Sequence, residues 1–308
     1  MLANFFGKSN PANFIIIFLI FLVIYFATLF SNYSIDTFDL DFILYQFSML
    51  GLFVLVFFFF NFILSKNKLT LYNSYGFLLF VLLFAFFPQT MFSRQEVILN
   101  LVLLIFLRRV YSLRSNKVVY KKILDCGFWL GILFLLEPTS VIFGVLIFVS
   151  IGLFQKLKAR TILIPLVGFL IPVFSYFTYC FWYDKTDEFT NLFLWYSDFD
   201  FHLYIKKPLL FSFLFLGLLT LISIFLKTPK VFLISGSYRK YWILIIFNLI
   251  IAIAVVLIQK THTGIEAMLL FFPVSIIITN WVEGIKKPIL KNIFLALFIG
   301  APIVFFIV

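Results

Sequence analysis

The chain has 308 residues, 64% hydrophobic and only 12% charged, with a mean hydropathy of +1.14 and a net charge of +11. A soluble domain is about 45–50% apolar and about 25% charged, and none of this size hides so much apolar surface, so the solvent is lipid. In that setting the positive balance reads as Lys and Arg retained on the cytoplasmic side, not as a nucleic-acid surface.

A bilayer core needs about 20 helical residues. The apolar runs predict spans near 13–31, 42–64, 74–91, 96–111, 123–136, 139–155, 161–182, 208–226, 242–259, 267–281 and 293–308. The first run exceeds a signal-peptide core and is kept as a span. Runs such as IIIFLIFLVIYFATLF do not alternate, which excludes a β-barrel. Backbone groups in lipid must pair within their own segment, so the spans are helices. The expected fold is all-α, a polytopic transmembrane helix bundle of about ten or eleven spans. It forms a single integral-membrane domain over 1–308. The 48 phenylalanines read as compositional drift rather than a ligand site.

With the N-terminus cytoplasmic, 19 of the 24 basic residues fall inside, leaving Arg94, Lys185, Lys206, Lys207 and Lys260 outside. A missed span would invert the pattern downstream. Acidic residues sort the other way: 11 of 13 lie outside or at the outer turn of Glu137, and only Asp125 and Glu283 lie inside. Asp125 is expected to snorkel to the cytoplasm or to pair with Lys121 or Lys122. An amphipathic interfacial helix is expected in the outer loop near 184–204, with Asp187 and Glu188 in its first turn. Cys126 and Cys180, in apolar stretches, read as buried hydrophobes rather than a disulfide or metal site. Pro165, Pro172, Pro273 and Pro302 read as helix kinks, and Pro138 separates two spans with almost no loop.

Four outer constellations could carry chemistry. Asp36, Asp39 and Asp41 repel one another, so one could serve as a general base toward an acceptor hydroxyl or bind a divalent cation. An ordinary solvated loop is the alternative. Arg94 could hold a lipid-linked phosphate, or simply pair with Glu96. Asp198, Asp200 and His202 would share a face if extended, followed by Lys206 and Lys207, but no metal site is assigned. Lys260, His262 and Glu266 form a polar turn before span ten, with His262 and Glu266 on one face if the helix starts early. No P-loop, dinucleotide fingerprint, HExxH or serine-hydrolase elbow is present, and no cofactor is assigned.

This layout resembles the C superfamily of integral-membrane glycosyltransferases, which use polyprenyl-phosphate sugars. The resemblance implies a catalytic base at Asp36, Asp39 or Asp41 and phosphate binding by Arg94, Lys206, Lys207 or Lys260. The chain departs from that superfamily in its short first outer loop and its lack of an outer soluble domain. The chain is also similar to an uncharacterised family of polytopic bacterial inner-membrane proteins. Phe5-Phe6-Gly7-Lys8-Ser9-Asn10-Pro11-Ala12-Asn13-Phe14 carries that resemblance, together with Glu266, Phe272-Pro273 and Asn280-Trp281-Val282-Glu283. The leading expectation is a glycosyltransferase-like protein handling a lipid-linked sugar at the outer face of the inner membrane. In that reading Arg94, Glu96, Lys206, Lys207, Lys260, His262 and Glu266 bind substrate. A non-catalytic subunit of an envelope assembly complex comes second, and a transporter or flippase third. The expected partners are membrane lipids, a polyprenyl-phosphate-linked sugar and a membrane protein, without nucleic acid.

Overall fold

The computed structural model describes residues 2–33, 39–194, 204, 207–234, 236–259 and 262–307. Among these residues there is no strand. The helices are α1 Leu2–Phe6, α2 Pro11–Asn32, α3 Leu40–Asn67, α4 Tyr75–Phe86, α5 Arg94–Ser112, α6 Val119–Leu136 and α7 Val145–Leu153. They continue with α8 Ala159–Trp182, α9 Thr186–Asn191, α10 Lys207–Phe232, α11 Ser237–Ile258, α12 Phe271–Glu283 and α13 Pro288–Ile307. Three 3-10 turns, Pro88–Met91, Pro138–Gly144 and Ile265–Leu270, interrupt the sequence of helices. Among the described residues six stretches are long and apolar enough to cross a membrane: Pro11–Asn32, Leu40–Asn67, Ala159–Trp182, Pro208–Phe232, Ser237–Ile258 and Ile265–Glu283. The chain is a multi-pass helical membrane protein.

The fold divides into two compact units. The first comprises residues 1–97, 200–234 and 262–308, and α4 is its centre. α4 is apolar on every face, and every residue from Tyr75 to Phe84 is buried. A helix of this kind can only be a core helix. Its neighbours show the directions of the helices. Phe14 meets Phe77 and Phe21 meets Phe84, so α2 runs parallel to α4. Phe60 stacks on Phe80 at 3.9 Å and Phe53 meets Phe84 at 5.3 Å, so α3 runs antiparallel. α12 is antiparallel too, with Phe271 against Phe84 at 5.0 Å at one end. At the other end Thr279 lies beside Gly76. Phenylalanine thus forms the core of this unit, whose edge-to-face and stacked pairs add to simple burial. Compositional drift alone does not account for these positions.

The second unit comprises residues 98–199 and 235–261, and its closest packing is α6 on α8. Gly127 and Gly131 are four apart, a spacing that lets membrane helices approach backbone to backbone. A Cβ on Gly127 would lie 2.1 Å from the carbonyl oxygen of Pro165, and one on Gly131 would lie 2.5 Å from Pro172. Gly168 reciprocates from α8, where a Cβ would meet the Leu124 carbonyl at 2.3 Å. Both prolines expected as kinks therefore lie inside α8, at the contact with α6. Carbonyls at the end of α5 and in the turn just after it are capped by cations, as the helix dipole favours. Lys122 Nζ donates to the Ser112 carbonyl at 3.0 Å, and the buried Lys156 donates to the Leu113 and Ser115 carbonyls. Burial, and then the nearby Lys122, hold the Lys156 ammonium below its ordinary range. Cys126 and Cys180 are buried free thiols.

Several local expectations are corrected. The third run was drawn through Pro88, but α4 stops at Phe86 and a 3-10 turn follows, because proline lacks the N–H that would continue the helix. Pro273 lies in the first turn of α12, where proline is tolerated, not in a kink. Asp125 pairs with Arg109 at 3.2 Å rather than with Lys121 or Lys122. In the loop expected to be outer, α9 covers only Thr186–Asn191, with Asp187 and Glu188 in its first turn and Lys185 paired to Glu188 at 3.0 Å. The remaining expected stretch, 195–203, lies outside the described residues.

The glycine contact gives a direct test. Gly127→Ala should lower the unfolding temperature of the purified chain in detergent, by about 1–3 kcal/mol of overpacking. Gly51→Ala has nothing within 4 Å of the new Cβ and should be neutral or slightly stabilising.

Candidate functional site

In the first unit the helix directions gather one set of helix ends together. These are the end of α2, the start of α3, the end of α4 with its 3-10 turn, the start of α10, and the turn Ile265–Leu270 before α12. The two 3-10 turns of this unit touch each other. Each is a place where helical hydrogen bonding stops, so its carbonyls need other donors. Side chains supply them at the first turn. Ser212 of α10 donates to the Phe86 carbonyl at 3.1 Å, and the Thr90 hydroxyl donates to the Phe87 carbonyl at 2.6 Å.

The second turn carries the ionisable groups. Gly264 takes φ +88°, a left-handed conformation, and a Cβ there would sit 2.6 Å from the Gln89 side-chain amide of the first turn. That glycine lets the backbone cross closely and then release Glu266 into the interior. Glu266 is 2% exposed and His262 is 5% exposed. His262 Nδ1 lies 4.0 Å from Glu266 Oε1. The Thr263 hydroxyl donates to Glu266 Oε2 at 3.4 Å, and the Tyr204 hydroxyl donates to Glu266 Oε1. The Tyr204 ring is edge-on to His262, with centroids 5.5 Å apart. Burial first, then the hydrogen bond to Glu266, push the Tyr204 hydroxyl far above the ordinary phenol range, so it remains a donor. Carboxylate, imidazole and phenol thus meet in a water-poor site, the set from which enzymes draw general acids and bases.

The sequence pointed to His262 and Glu266, and the structure brings them together. Of the other expected residues, Asp39 caps α3 by accepting from the Phe42 N–H at 2.8 Å, and Asp41 occupies the first turn of that helix; both are exposed. Beside them an apolar groove of about 190 Å³ runs between α2 and α3, lined by Phe26, Phe30, Phe42 and Phe47 among others. Arg94 begins α5, exposed, with Glu96 in the same turn, where the helix dipole favours a carboxylate. Lys207 begins α10. Asp36, Asp198, Asp200, His202, Lys206 and Lys260 lie outside the described residues. Sequence reasoning missed Tyr204, Gln89, Thr90 and Ser212. Pro88 was the available signal for the middle two, since it marks where a buried helix must break.

At the opposite end of the unit, two stretches distant in sequence are stitched together. Asn13 Nδ2 donates to the Phe5 carbonyl at 2.9 Å and the Lys8 carbonyl at 2.7 Å. The Ser74 N–H donates to the Phe6 carbonyl at 3.0 Å. Glu283 Oε1 accepts from the Leu71 N–H at 2.9 Å and from Asn73 Nδ2 at 2.7 Å. The chain belongs to the family of unknown function DUF6427, whose model matches residues 6–308. No curated protein and no solved structure matches it. Two of the stretches on which the family resemblance rested, 5–14 and 280–283, meet through the loop 71–75.

Tyr204→Phe should cost about 1.5–3 kcal/mol in detergent unfolding, the scale of a hydrogen bond to a charged group. Thr263→Val, which removes a 3.4 Å contact, should cost less.

Proposed function

We propose that this DUF6427 protein is a glycosyltransferase-like membrane enzyme that handles a lipid-linked sugar. One observation carries the proposal: a buried carboxylate, Glu266, shares a broken-helix site with His262 and Tyr204. In this reading the N-terminus is cytoplasmic, about ten or eleven segments cross the inner membrane, and the site opens on the outer face. The alternating helix directions in the first unit and the sorting of basic residues support that frame.

The proposed chemistry assigns Glu266 as the base. An acceptor hydroxyl takes the position of the Tyr204 hydroxyl and gives its proton to Glu266. Its oxygen bonds to the anomeric carbon as the bond from that carbon to the phosphate oxygen breaks. The polyprenyl phosphate departs with the electron pair. Arg94, at the same end of the first unit, supplies positive charge that such a leaving group needs. Asp39 is exposed and caps its helix, whereas Glu266 is buried beside an imidazole and a phenol, which favours Glu266 as the base.

A second reading, a transporter or flippase, draws on the same site, because broken helices meeting at an ionisable side chain also build transport sites. One experiment separates the two. Cells lacking the gene are complemented with Glu266→Gln, and envelope glycans and lipid-linked sugars are both measured. The enzyme reading expects wild-type membrane levels of the variant, a missing glycan modification, and accumulation of a lipid-linked donor on the outer leaflet. Accumulation on the inner leaflet favours the flippase. Full complementation rules out both roles for Glu266.

A further inference from the structure

The first unit holds a second site, at the end opposite Glu266. A cavity of about 670 Å³ is lined by Asn4, Gly7, Lys8, Tyr72, Asn73, Tyr75, Glu283 and Lys291, with Ala3 and Leu71. That volume lies within the range of small-molecule sites, about 300–1,000 Å³. Its walls are built rather than incidental. The Tyr75 hydroxyl donates to the Ala3 carbonyl, and the Ala3 N–H donates to Asn292 Oδ1 at 2.8 Å, tying α1 to α4 and α13. Glu283 holds the loop 71–73 through two hydrogen bonds.

Charge decides what fits. Two lysines, Lys8 and Lys291, line the cavity with one carboxylate, Glu283, which already accepts two hydrogen bonds from the loop. The Lys291 ammonium stands 5.6 Å from the centre of the Tyr75 ring, which steadies it against the wall. The wall is therefore net positive, with amide donors at Asn4 and Asn73. Position decides where the ligand comes from. The cavity sits where α2, α4 and α13 begin and α3 and α12 end, so it lies at the level of lipid head groups. Leu71 and Tyr72, 67% and 85% exposed, stand at its rim as side chains suited to the interface.

We propose that this cavity binds the phosphate head group of an anionic phospholipid, with Lys8 and Lys291 as its cationic partners. The site is independent of the Glu266 chemistry and shares no residue with it. Its wall takes Gly7 and Lys8 from the 5–14 stretch and Glu283 from the 280–283 stretch.

The full chain, purified in mild detergent, is tested by native mass spectrometry with phosphatidylglycerol, phosphatidylethanolamine and phosphatidylcholine, and with glycerol 3-phosphate as a soluble competitor. The site predicts about tenfold tighter retention of phosphatidylglycerol than of either zwitterionic lipid. The Lys8→Gln/Lys291→Gln double variant should bring retention down to the zwitterionic level. Asn4→Trp, which fills the cavity without changing charge, should do the same in a protein that stays monodisperse. Lys66→Gln/Lys68→Gln removes equal charge at exposed positions of the same end outside the cavity, and should leave retention unchanged. Equal retention of the three lipids, or equal loss in the Lys66/Lys68 control, overturns the proposal. Displacement of the lipid by millimolar glycerol 3-phosphate overturns the lipid assignment and makes the ligand a soluble phosphate ester.

Discussion

Lipid offers no hydrogen bonds, and that constraint organises this molecule. A helix in such a medium is self-sufficient, but a broken helix is not. The first unit breaks twice, at Pro88–Met91 and at Ile265–Leu270, and the two breaks lie against each other. Ser212 and Thr90 supply the freed carbonyls, and Gly264 permits the close crossing. The break also lets a glutamate turn into the interior, where Tyr204 and Thr263 satisfy it. Structure and candidate chemistry thus share a cause: polar side chains must gather where the backbone ladder stops.

The same logic separates what the sequence reveals from what it hides. The apolar runs were legible because lipid demands length and hydrophobicity, and six of the stretches they cover are long and apolar enough to cross a membrane among the described residues. Helix ends were less legible. Ten apolar residues before it concealed the stop at Pro88, and Pro273 looked like a kink until the helix start at Phe271 placed it in a first turn. The partner of Asp125 was misjudged because sequence neighbours Lys121 and Lys122 were nearer along the chain than Arg109, which the fold brings within 3.2 Å. His262 and Glu266 were legible through their spacing. Tyr204 was not, since it comes from a connection 62 residues away.

The two units reach stability by different means. The first packs phenylalanine rings around α4, where large side chains fill space that small ones would leave empty. The second removes side chains instead, so that α6 and α8 touch through Gly127, Gly131 and Gly168. α4 and α12 run antiparallel in the first unit, with the Glu266 site at one end and the Lys8–Lys291 cavity at the other. If the unit spans the bilayer, those two sites face opposite leaflets.

Impermeant thiol labelling of oriented membranes tests this claim most directly. Single cysteines are placed at Thr263, beside Glu266, and at Tyr72, on the rim of the opposite cavity. The buried Cys126 and Cys180 stay in place as silent background. The account predicts that Thr263→Cys reacts only from the outer side and Tyr72→Cys only from the cytoplasmic side. Labelling of both positions from the same side would contradict it.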